Sequence, residues 1–261
     1  MKLLTTRSLL ALATLAASSA AFAQAKAPEP DYTLSYNLGA VTEYRYRGLS
    51  QTGKKPALQG GVDFAHKNGV YLGAWGSTIS WIKDSTTAPN TTKGPLEVDL
   101  YGGYKGSIND TFSYDVGGLQ YWYVGNNLGN TLGFGNANTF EFYGALTAGP
   151  VTAKYSRSLG NLFGTPNSKG SGYLDLSASF DLGSGWSVAP HLGIQNVKNV
   201  ANVSYTDYSL AVNKDIDGLV LSATFVSTNF KSKNKVPYTL AATGTKDLGG
   251  STIVLGIKKN F

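Results

Sequence analysis

The sequence lacks cysteine altogether, and its 261 residues include only two histidines, His66 and His191. Without cysteine the chain has no disulfide framework, no haem-attachment motif and no thiolate metal site. Two histidines are also too few for a histidine-rich metal centre. We therefore predict that the protein carries neither a metal nor a cofactor.

The excess of one charge sign over the other is also small. The 22 basic residues stand against 16 acidic ones, which gives a formal net charge of +6. The sequence contains no run of basic residues and no module that combines basic and aromatic residues. These features exclude the usual nucleic-acid-binding surfaces, and we expect no nucleic acid as a partner.

Long apolar runs are missing, and even the N-terminal one is short. Lys2 and Arg7 accompany the apolar residues 9–17, and Ala-Phe-Ala at 21–23 has the small-x-small pattern of a cleavage site. The apolar part is shorter than the roughly 20 residues that a membrane-spanning helix needs. We predict a secretory signal peptide at 1–23.

The exported chain would begin at Gln24, with a flexible segment at 24–31 before the folded domain at 32–261. Loss of two basic residues with the signal peptide leaves 20 basic and 16 acidic residues, a charge of +4. No later apolar run is long enough for a membrane-spanning helix. Because only helices and closed β-barrels satisfy every backbone group in lipid, a membrane role requires a barrel.

Glycine and tyrosine are abundant, with 32 and 16 residues. This composition is typical of many short strands joined by turns. From residue 32 onward, apolar and polar residues alternate in segments that indicate β-strands. We predict twelve strands, at 32–46, 56–66, 69–81, 94–106, 110–123, 137–149, 150–159, 171–182, 185–196, 203–215, 217–229 and 250–261.

Short and long connections alternate between these strands. The short ones lie at 67–68, 107–109, 149–150, 183–184 and 215–217, and the long ones at 47–55, 82–93, 124–136, 160–170, 197–202 and 230–249. Bacterial outer-membrane barrels have this asymmetry and an even number of strands. The pattern favours an all-β fold, a transmembrane antiparallel up-and-down β-barrel with short periplasmic turns and longer external loops.

Alternation does not decide which face of the wall is outside, since a soluble barrel would turn its apolar face inward. Small residues such as Gly102 and Gly144 on the apolar faces would suit lipid better than a packed core. Aromatic residues near strand ends also favour an apolar outer face, because interfacial girdles lie there. These aromatics are Tyr44, Tyr46, Trp81, Tyr104, Tyr121, Tyr123 and Trp186. The orientation of strand 69–81 stays open.

The sequence ends on an alternating segment at 251–261. Ile253, Leu255 and Ile257 recur at every second position, and Phe261 is the final residue. An edge strand of a soluble sheet can have the same alternation. A last strand that ends on Phe, however, resembles the C-terminal signature of bacterial outer-membrane barrels. That resemblance implies that the strand closes the barrel and is bound by the barrel-assembly machinery.

Three segments carry a further resemblance. Residues 44–52 read Y-R-Y-R-G-L-S-Q-T, residues 56–61 read P-A-L-Q-G-G, and residues 96–104 read L-E-V-D-L-Y-G-G-Y. Together they are similar to the TorF-type family of porin-like proteins of proteobacteria. The resemblance implies an outer-membrane β-barrel that acts as a porin, and it names no substrate.

Arg45 and Arg47 belong to the first of these segments and share a face with Glu43. They either project into the lumen near its mouth and bias the passage of ions, or pair with lumen carboxylates such as Asp63 and brace the wall. An ion pair in a wet lumen contributes only about 0–1 kcal/mol, so bracing would require a network.

The remaining charged residues on the predicted lumen face complete a set of candidate pore-lining residues. This set is Glu43, Arg45, Arg47, Asp63, Glu97, Asp99, Lys105, Asp115, Glu141, Lys154, Asp175, His191, Asp207 and Lys258. It contains eight acidic and five basic residues besides the histidine. With both signs present, we expect a weakly selective or largely plugged pore rather than a sharp filter.

An enzymatic role finds little support. His191 would face the lumen with Asp207 on a neighbouring strand, but no serine is marked by a nucleophile motif. His66 adjoins a tight turn and is expected to be a solvated turn residue. Glu97 and Asp99 lie two residues apart, a spacing that strand alternation alone produces. We predict no catalytic residue and no enzyme activity.

The predicted function is a porin-like channel in the cell outer membrane for passive diffusion of small ions or small polar solutes. Its partners would be membrane lipid and those solutes, and a barrel of about twelve strands would have a narrow interior. Two alternatives stay open: a closed structural or surface-interaction barrel without a conducting pore, and a soluble periplasmic β-sandwich.

Overall fold

The computed structural model describes residues 30–85, 92–131, 133–230 and 248–261. The predicted signal peptide at 1–23 lies outside these residues, as do residues 24–29 of the predicted flexible segment. Within the described ranges, no helix has the length and apolar character needed to cross a membrane. The described residues form almost entirely β-structure.

Fifteen strands and two single 3-10 turns make up the regular structure of the described residues. In chain order the strands are β1 (Tyr32–Val41), β2 (Arg45–Tyr46), β3 (Leu49–Ser50), β4 (Ala57–His66), β5 (Val70–Thr78), β6 (Leu96–Ser107), β7 (Phe112–Val124), β8 (Thr139–Ala148), β9 (Val151–Ser158), β10 (Gly172–Ala178), β11 (Phe180–Gly183), β12 (Trp186–Asn196), β13 (Tyr205–Ile216), β14 (Leu219–Thr228) and β15 (Thr252–Asn260). The 3-10 turns are Lys83–Ser85 and Leu128–Asn130.

All strands except β2 and β3 form one closed antiparallel barrel. β10 and β11 are interrupted at Ser179 and share one place in the wall, since both pair with β12. β15 pairs with β1, from Asn37↔Asn260 to Val41↔Gly256, so the sheet has no free edge. This confirms the predicted twelve-stranded antiparallel barrel and its closure by the final strand, and it excludes a β-sandwich.

The connections sort by length onto the two ends of the barrel. The turn end carries 67–69, 108–111, 149–150, 184–185 and 217–218. The loop end carries 42–56, 159–171, 197–204 and the described parts of the connections 79–95, 125–138 and 229–251. At 217–218 the φ angles of Asp217 and Gly218 are 51° and 80°, and at 184–185 those of Ser184 and Gly185 are 50° and 77°. Type I′ hairpin turns need such positive values at both central residues.

The wall is apolar outside and polar inside. Leu38, Leu58 and Leu72 are each at least 60% exposed on the outer face, whereas Glu97 and Glu141 are at most 2% exposed on the inner face. The outward position of Leu72 also settles the open orientation of β5. A barrel in lipid has this arrangement, the reverse of a soluble barrel.

The aromatic residues are placed differently from the expectation. Tyr104 and Trp186 lie on the outer face, but Trp81, Tyr121 and Tyr123 are at most 3% exposed inside the barrel. Tyr44 and Tyr46 also turn inward. Five of the seven expected girdle residues are therefore interior residues, because the long connections fold over the loop end and bury them.

These rings belong to an apolar cluster that closes the loop end, here called the cap. Ile82, Leu128, Leu162 and Val203 are at most 1% exposed. Trp81 packs edge-on against Tyr123 with ring centroids 5.2 Å apart. The cap is Tyr44, Leu49, Ala57, Ile79, Trp81, Ile82, Tyr121, Tyr123, Leu128, Ala137, Leu162, Phe163, Val197, Val203, Tyr205 and Phe230. It is a packed core, built from the long connections and the adjoining strand ends, at one end of a polar lumen.

Truncation of a cap residue should loosen the loops without opening the wall. Ile82→Ala removes buried contacts worth roughly 2–5 kcal/mol, and we expect faster cleavage of the folded protein by an added protease, at sites in the loops. Leu100→Ala, which truncates an exposed leucine on the outer face of β6, is the control and should leave the cleavage rate unchanged. Equal cleavage rates for the two variants would show that the cap does not stabilise the loops.

Candidate functional site

The first long connection, residues 42–56, folds into the barrel instead of extending from it. β1 ends at Val41, five residues earlier than predicted, and β2 and β3 then form a small hairpin. The tip residues Arg47 and Gly48 have φ angles of 47° and 77°, as a tight hairpin turn needs. A Cβ atom on Gly48 would lie 2.7 Å from the Cβ of Asp207, so the tip contacts β13 closely.

Arg47 connects the hairpin to two distant strands of the wall. Its Nη2 donates to Glu141 Oε2 on β8 at 2.7 Å, and its Nη1 donates to Gln195 Oε1 on β12 at 2.8 Å. The guanidinium carbon lies 4.2 Å from the centroid of the Tyr173 ring. The arginine and glutamate side chains are 6% and 2% exposed. The contact is therefore a buried ion pair with satisfied hydrogen bonds.

Arg45 holds the other side of the hairpin. Its Nε lies 2.9 Å from Glu43 Oε1, and its Nη1 donates to the carbonyl oxygens of Gly48, Leu248 and Gly250 at 2.9–3.0 Å. The last two carbonyls belong to the connection before β15. The two arginines therefore serve different contacts, one across the lumen and one between loops.

Two tyrosines complete the attachment. Tyr44 donates its hydroxyl to Glu97 Oε1 at 3.1 Å, and Tyr46 is hydrogen-bonded to the hydroxyl of Tyr121. Burial raises the pKa of Tyr44, and the Glu97 carboxylate raises it further. The Tyr44 hydroxyl is consequently a neutral donor at physiological pH.

The contacts of Arg45 and Arg47 favour bracing over a role in ion passage. Both arginines brace the structure within a network, but neither pairs with Asp63, which accepts a hydrogen bond from Tyr101 instead. The expected partner was wrong because the hairpin leans across the lumen towards β8–β13, away from β4. Sequence spacing gives no sign of a contact between residues 47 and 141.

A cavity of about 570 Å³ lies under the hairpin, on its turn-end side. Its lining is Val41, Glu43, Tyr44, Arg45, Tyr46, Arg47, Gly48, Gln59, Trp75, Asp99, Leu119, Tyr121, Lys154, Ser156, Tyr173, Asp175, His191, Asp207, Ser209, Thr224, Val226 and Val254. On the loop-end side of Arg47, a void of about 10 Å³ has room for about one water molecule. The hairpin therefore interrupts the lumen.

The predicted pore-lining residues fall into three groups along the barrel. Glu43, Arg45, Arg47, Glu97 and Glu141 surround the hairpin. Asp99, Lys154, Asp175, His191 and Asp207 border the cavity, whereas Asp63, Lys105, Asp115 and Lys258 lie on the inner face towards the turn end. All fourteen are on the lumen side, and their role in a conducting pore stays a prediction.

The histidines have ordinary hydrogen-bonding surroundings. His191 Nε2 lies 3.1 Å from Asp175 Oδ2, and its Nδ1 lies 3.6 Å from Asp207 Oδ1. The nearby Tyr173 hydroxyl donates to Asp207 at 3.0 Å. Ser177 and Ser209 lie directly opposite His191 on β10 and β13, but within the described residues no serine hydroxyl is hydrogen-bonded to it. At the turn end, His66 Nδ1 accepts from the backbone of Asn68, as a turn residue does.

Sequence reasoning missed a set of tyrosine–glycine pairs on the inner face. Tyr101 lies opposite Gly73, and Tyr143 lies opposite Gly117, in neighbouring strands. The three atoms nearest to a Cβ atom on Gly73 would all belong to the Tyr101 side chain. Because the glycines leave this space free, the rings lie flat along the wall. Strand register was the missing information, since it alone shows which glycine faces which tyrosine.

The Arg47–Glu141 contact can be measured by a double-mutant cycle. Arg47→Met leaves a buried carboxylate unpaired and should lower the free energy of unfolding by about 3–5 kcal/mol, whereas Arg47→Met with Glu141→Gln should recover part of the loss. Lys67→Met breaks an exposed ion pair with Asp31 and should cost about 0–1 kcal/mol. An Arg47→Met loss no larger than this control would contradict the bracing role.

Two solved porin structures are similar to this chain in fold. The KdgM porin gives a TM-score of 0.52 at 7% identity, covering 87% of this chain and 99% of that one. The NanC porin gives 0.50 at 10% identity, covering 88% and 99%. At these identities the likeness shows the fold, a porin-type barrel. None of the curated proteins matches this sequence.

A family model described as "Bacterial protein of unknown function (Gcw_chp)" matches residues 24–261. The narrower resemblance to the TorF-type family stays a prediction, since none of these comparisons names it. Because one family model covers the whole of the barrel and the segment before it, the protein belongs to the Gcw_chp family of bacterial proteins.

Proposed function

We propose that the protein is a porin-like channel of the outer membrane, and that the β2–β3 hairpin controls passage through it. One observation carries the proposal: an apolar outer wall encloses a polar lumen whose cavity of about 570 Å³ ends at the hairpin. An apolar outer face suits lipid, and a polar interior suits water and solutes. Export by a signal peptide and insertion through the C-terminal strand are part of the same proposal.

The permeants are small ions or small polar solutes. Twelve strands enclose a narrow interior, and the hairpin narrows it further. The hairpin is attached by side chains, through Arg47, Tyr44 and Tyr46, and by a backbone bond from the Ser50 N–H to the Leu248 carbonyl oxygen. None of these contacts belongs to the barrel ladder. Attachments of this kind can be released without breaking the wall, so the hairpin is the movable part of the channel.

The alternative is a closed barrel, and the cap favours it. A void on the loop-end side of Arg47, lined by Gln51 and Tyr123 among others, has a volume of about 10 Å³, which is room for about one water molecule. If the cap and hairpin never move, the lumen does not conduct, and the loop end serves structure or surface interaction. The two functions differ in whether displacement of the hairpin opens a path.

Conductance in planar bilayers separates them. Wild-type protein should give stepwise currents, and a variant with residues 45–50 replaced by a glycine–serine linker should give larger steps, because the obstruction is removed. Arg157→Met, which changes an arginine on the outer face of β9, is the matched control and should behave as wild type. Each protein must first show a gel shift between unboiled and boiled samples, which reports a folded barrel. Silence from both folded wild type and linker variant would overturn the channel and favour the closed barrel.

A second substitution tests the lower lumen. Gly73→Val would displace the Tyr101 ring from the wall into the lumen and should reduce the conductance step. Gly76→Ala, on the outer face of the same strand, has no ring across it and provides the control. An unchanged step in folded Gly73→Val protein would show that this level of the lumen does not limit the current.

A further inference from the structure

The cavity under the hairpin contains one carboxylate that has no partner. Four acidic residues line it; one pairs with Arg45 at 2.9 Å, and two flank His191. The fourth, Asp99, makes no hydrogen bond or ion pair within the described residues, and its Oδ1 is buried. A buried carboxylate without a partner is costly, so the site favours a cation or a proton.

Aromatic rings frame this carboxylate on both sides. In the register of the wall, Asp99 lies directly opposite Trp75 on β5 and directly opposite Tyr121 on β7. Side chains in such positions on one face are neighbours, with Cβ atoms about 4.5–5.5 Å apart. Tyr44 extends the frame, since its ring centroid lies 5.5 Å from that of Trp75. All four residues line the cavity.

Within the described part of the chain, no basic side chain forms an ion pair with Asp99 or Glu97. Glu97, the next acidic residue on the same face, is 1% exposed, and its Oε2 has no hydrogen-bond partner. Arg47 forms its ion pair with Glu141. Lys154 lies opposite Asp175 and places its Nζ 3.8 Å from the centroid of the Tyr143 ring. Among the described residues, Asp99 therefore has no basic side chain as a partner.

We propose that Asp99, between Trp75 and Tyr121, forms a binding site for a small organic cation that carries an ammonium group. The carboxylate supplies the opposite charge, and the ring faces attract the cation through their quadrupoles. A cavity of about 570 Å³ falls within the usual range of roughly 300–1,000 Å³ for small-molecule pockets.

An inorganic ion fits this site less well. Within the described ranges, no group of three or more His, Asp or Glu side chains is placed to hold a metal ion. Hard cations such as Ca²⁺ take six or more oxygen ligands, whereas the frame around Asp99 offers aromatic carbon. The combination of one carboxylate and several rings suits an alkylated ammonium group.

Calorimetry on the folded, detergent-solubilised full-length protein tests the site with choline as the probe. Its neutral isostere 3,3-dimethylbutanol has the same shape without the charge. Choline should bind and the isostere should not, and Asp99→Asn should weaken choline binding by at least about tenfold. Asp181→Asn, near the turn end, is the matched carboxylate control and should bind choline as wild type does.

Three results would overturn the proposal: equal binding of choline and its isostere, equal competition by sodium ions at the same concentration, or unchanged binding by folded Asp99→Asn. If Asp99→Asn does not fold, Trp75→Leu and Trp75→Phe replace it, with weaker binding expected for the leucine variant only. Because binding is measured at equilibrium in detergent, its outcome is independent of the bilayer currents. A silent bilayer does not remove the site, and failure to bind choline does not remove the channel.

Discussion

The pairing of β15 with β1 is the constraint on which the rest of the molecule depends. It joins the two ends of the chain in the wall, so every wall strand apart from the four-residue β11 pairs with at least two neighbours. Closure with twelve strands also fixes the width of the interior. Because side chains alternate along each strand, a closed wall must present one face to the lumen and the other to its surroundings. Polar residues occupy the lumen face here, and leucine, isoleucine and aromatic residues occupy the outer one.

The narrow interior explains why one short hairpin is enough to interrupt the lumen. Polar groups that the hairpin buries in the lumen need hydrogen-bond partners. The hairpin brings Arg47 to Glu141 and Gln195, and Tyr44 to Glu97. Gly48 permits the close approach to Asp207. The same crowding leaves Asp99 without a counter-charge, so the proposed gate and the proposed cation site arise from one arrangement.

The wall could be predicted from sequence because its signals are local. Alternation in a segment such as 171–182 and the alternating loop lengths specify strands and their order without tertiary information. The interior could not be predicted in this way. Charged residues alternate at Glu43, Arg45 and Arg47 in the same way whether the segment is a wall strand or a hairpin inside the barrel. Partners such as Glu141 are also remote in sequence. Tyr121 and Tyr123 were wrongly predicted to lie in an outer girdle. An aromatic residue near a strand end has the same sequence pattern whether it faces the lipid interface or packs in the cap.

The turn at 46–49 lies inside the barrel and is held there by Arg47. Solid-state NMR of the protein in lipid bilayers can measure the dipolar coupling between the Arg47 guanidinium nitrogens and the Glu141 carboxylate carbon. We expect a measurable coupling, in keeping with the 2.7 Å separation of Nη2 and Oε2. Absence of this coupling in folded protein would place the hairpin elsewhere and contradict its position inside the barrel.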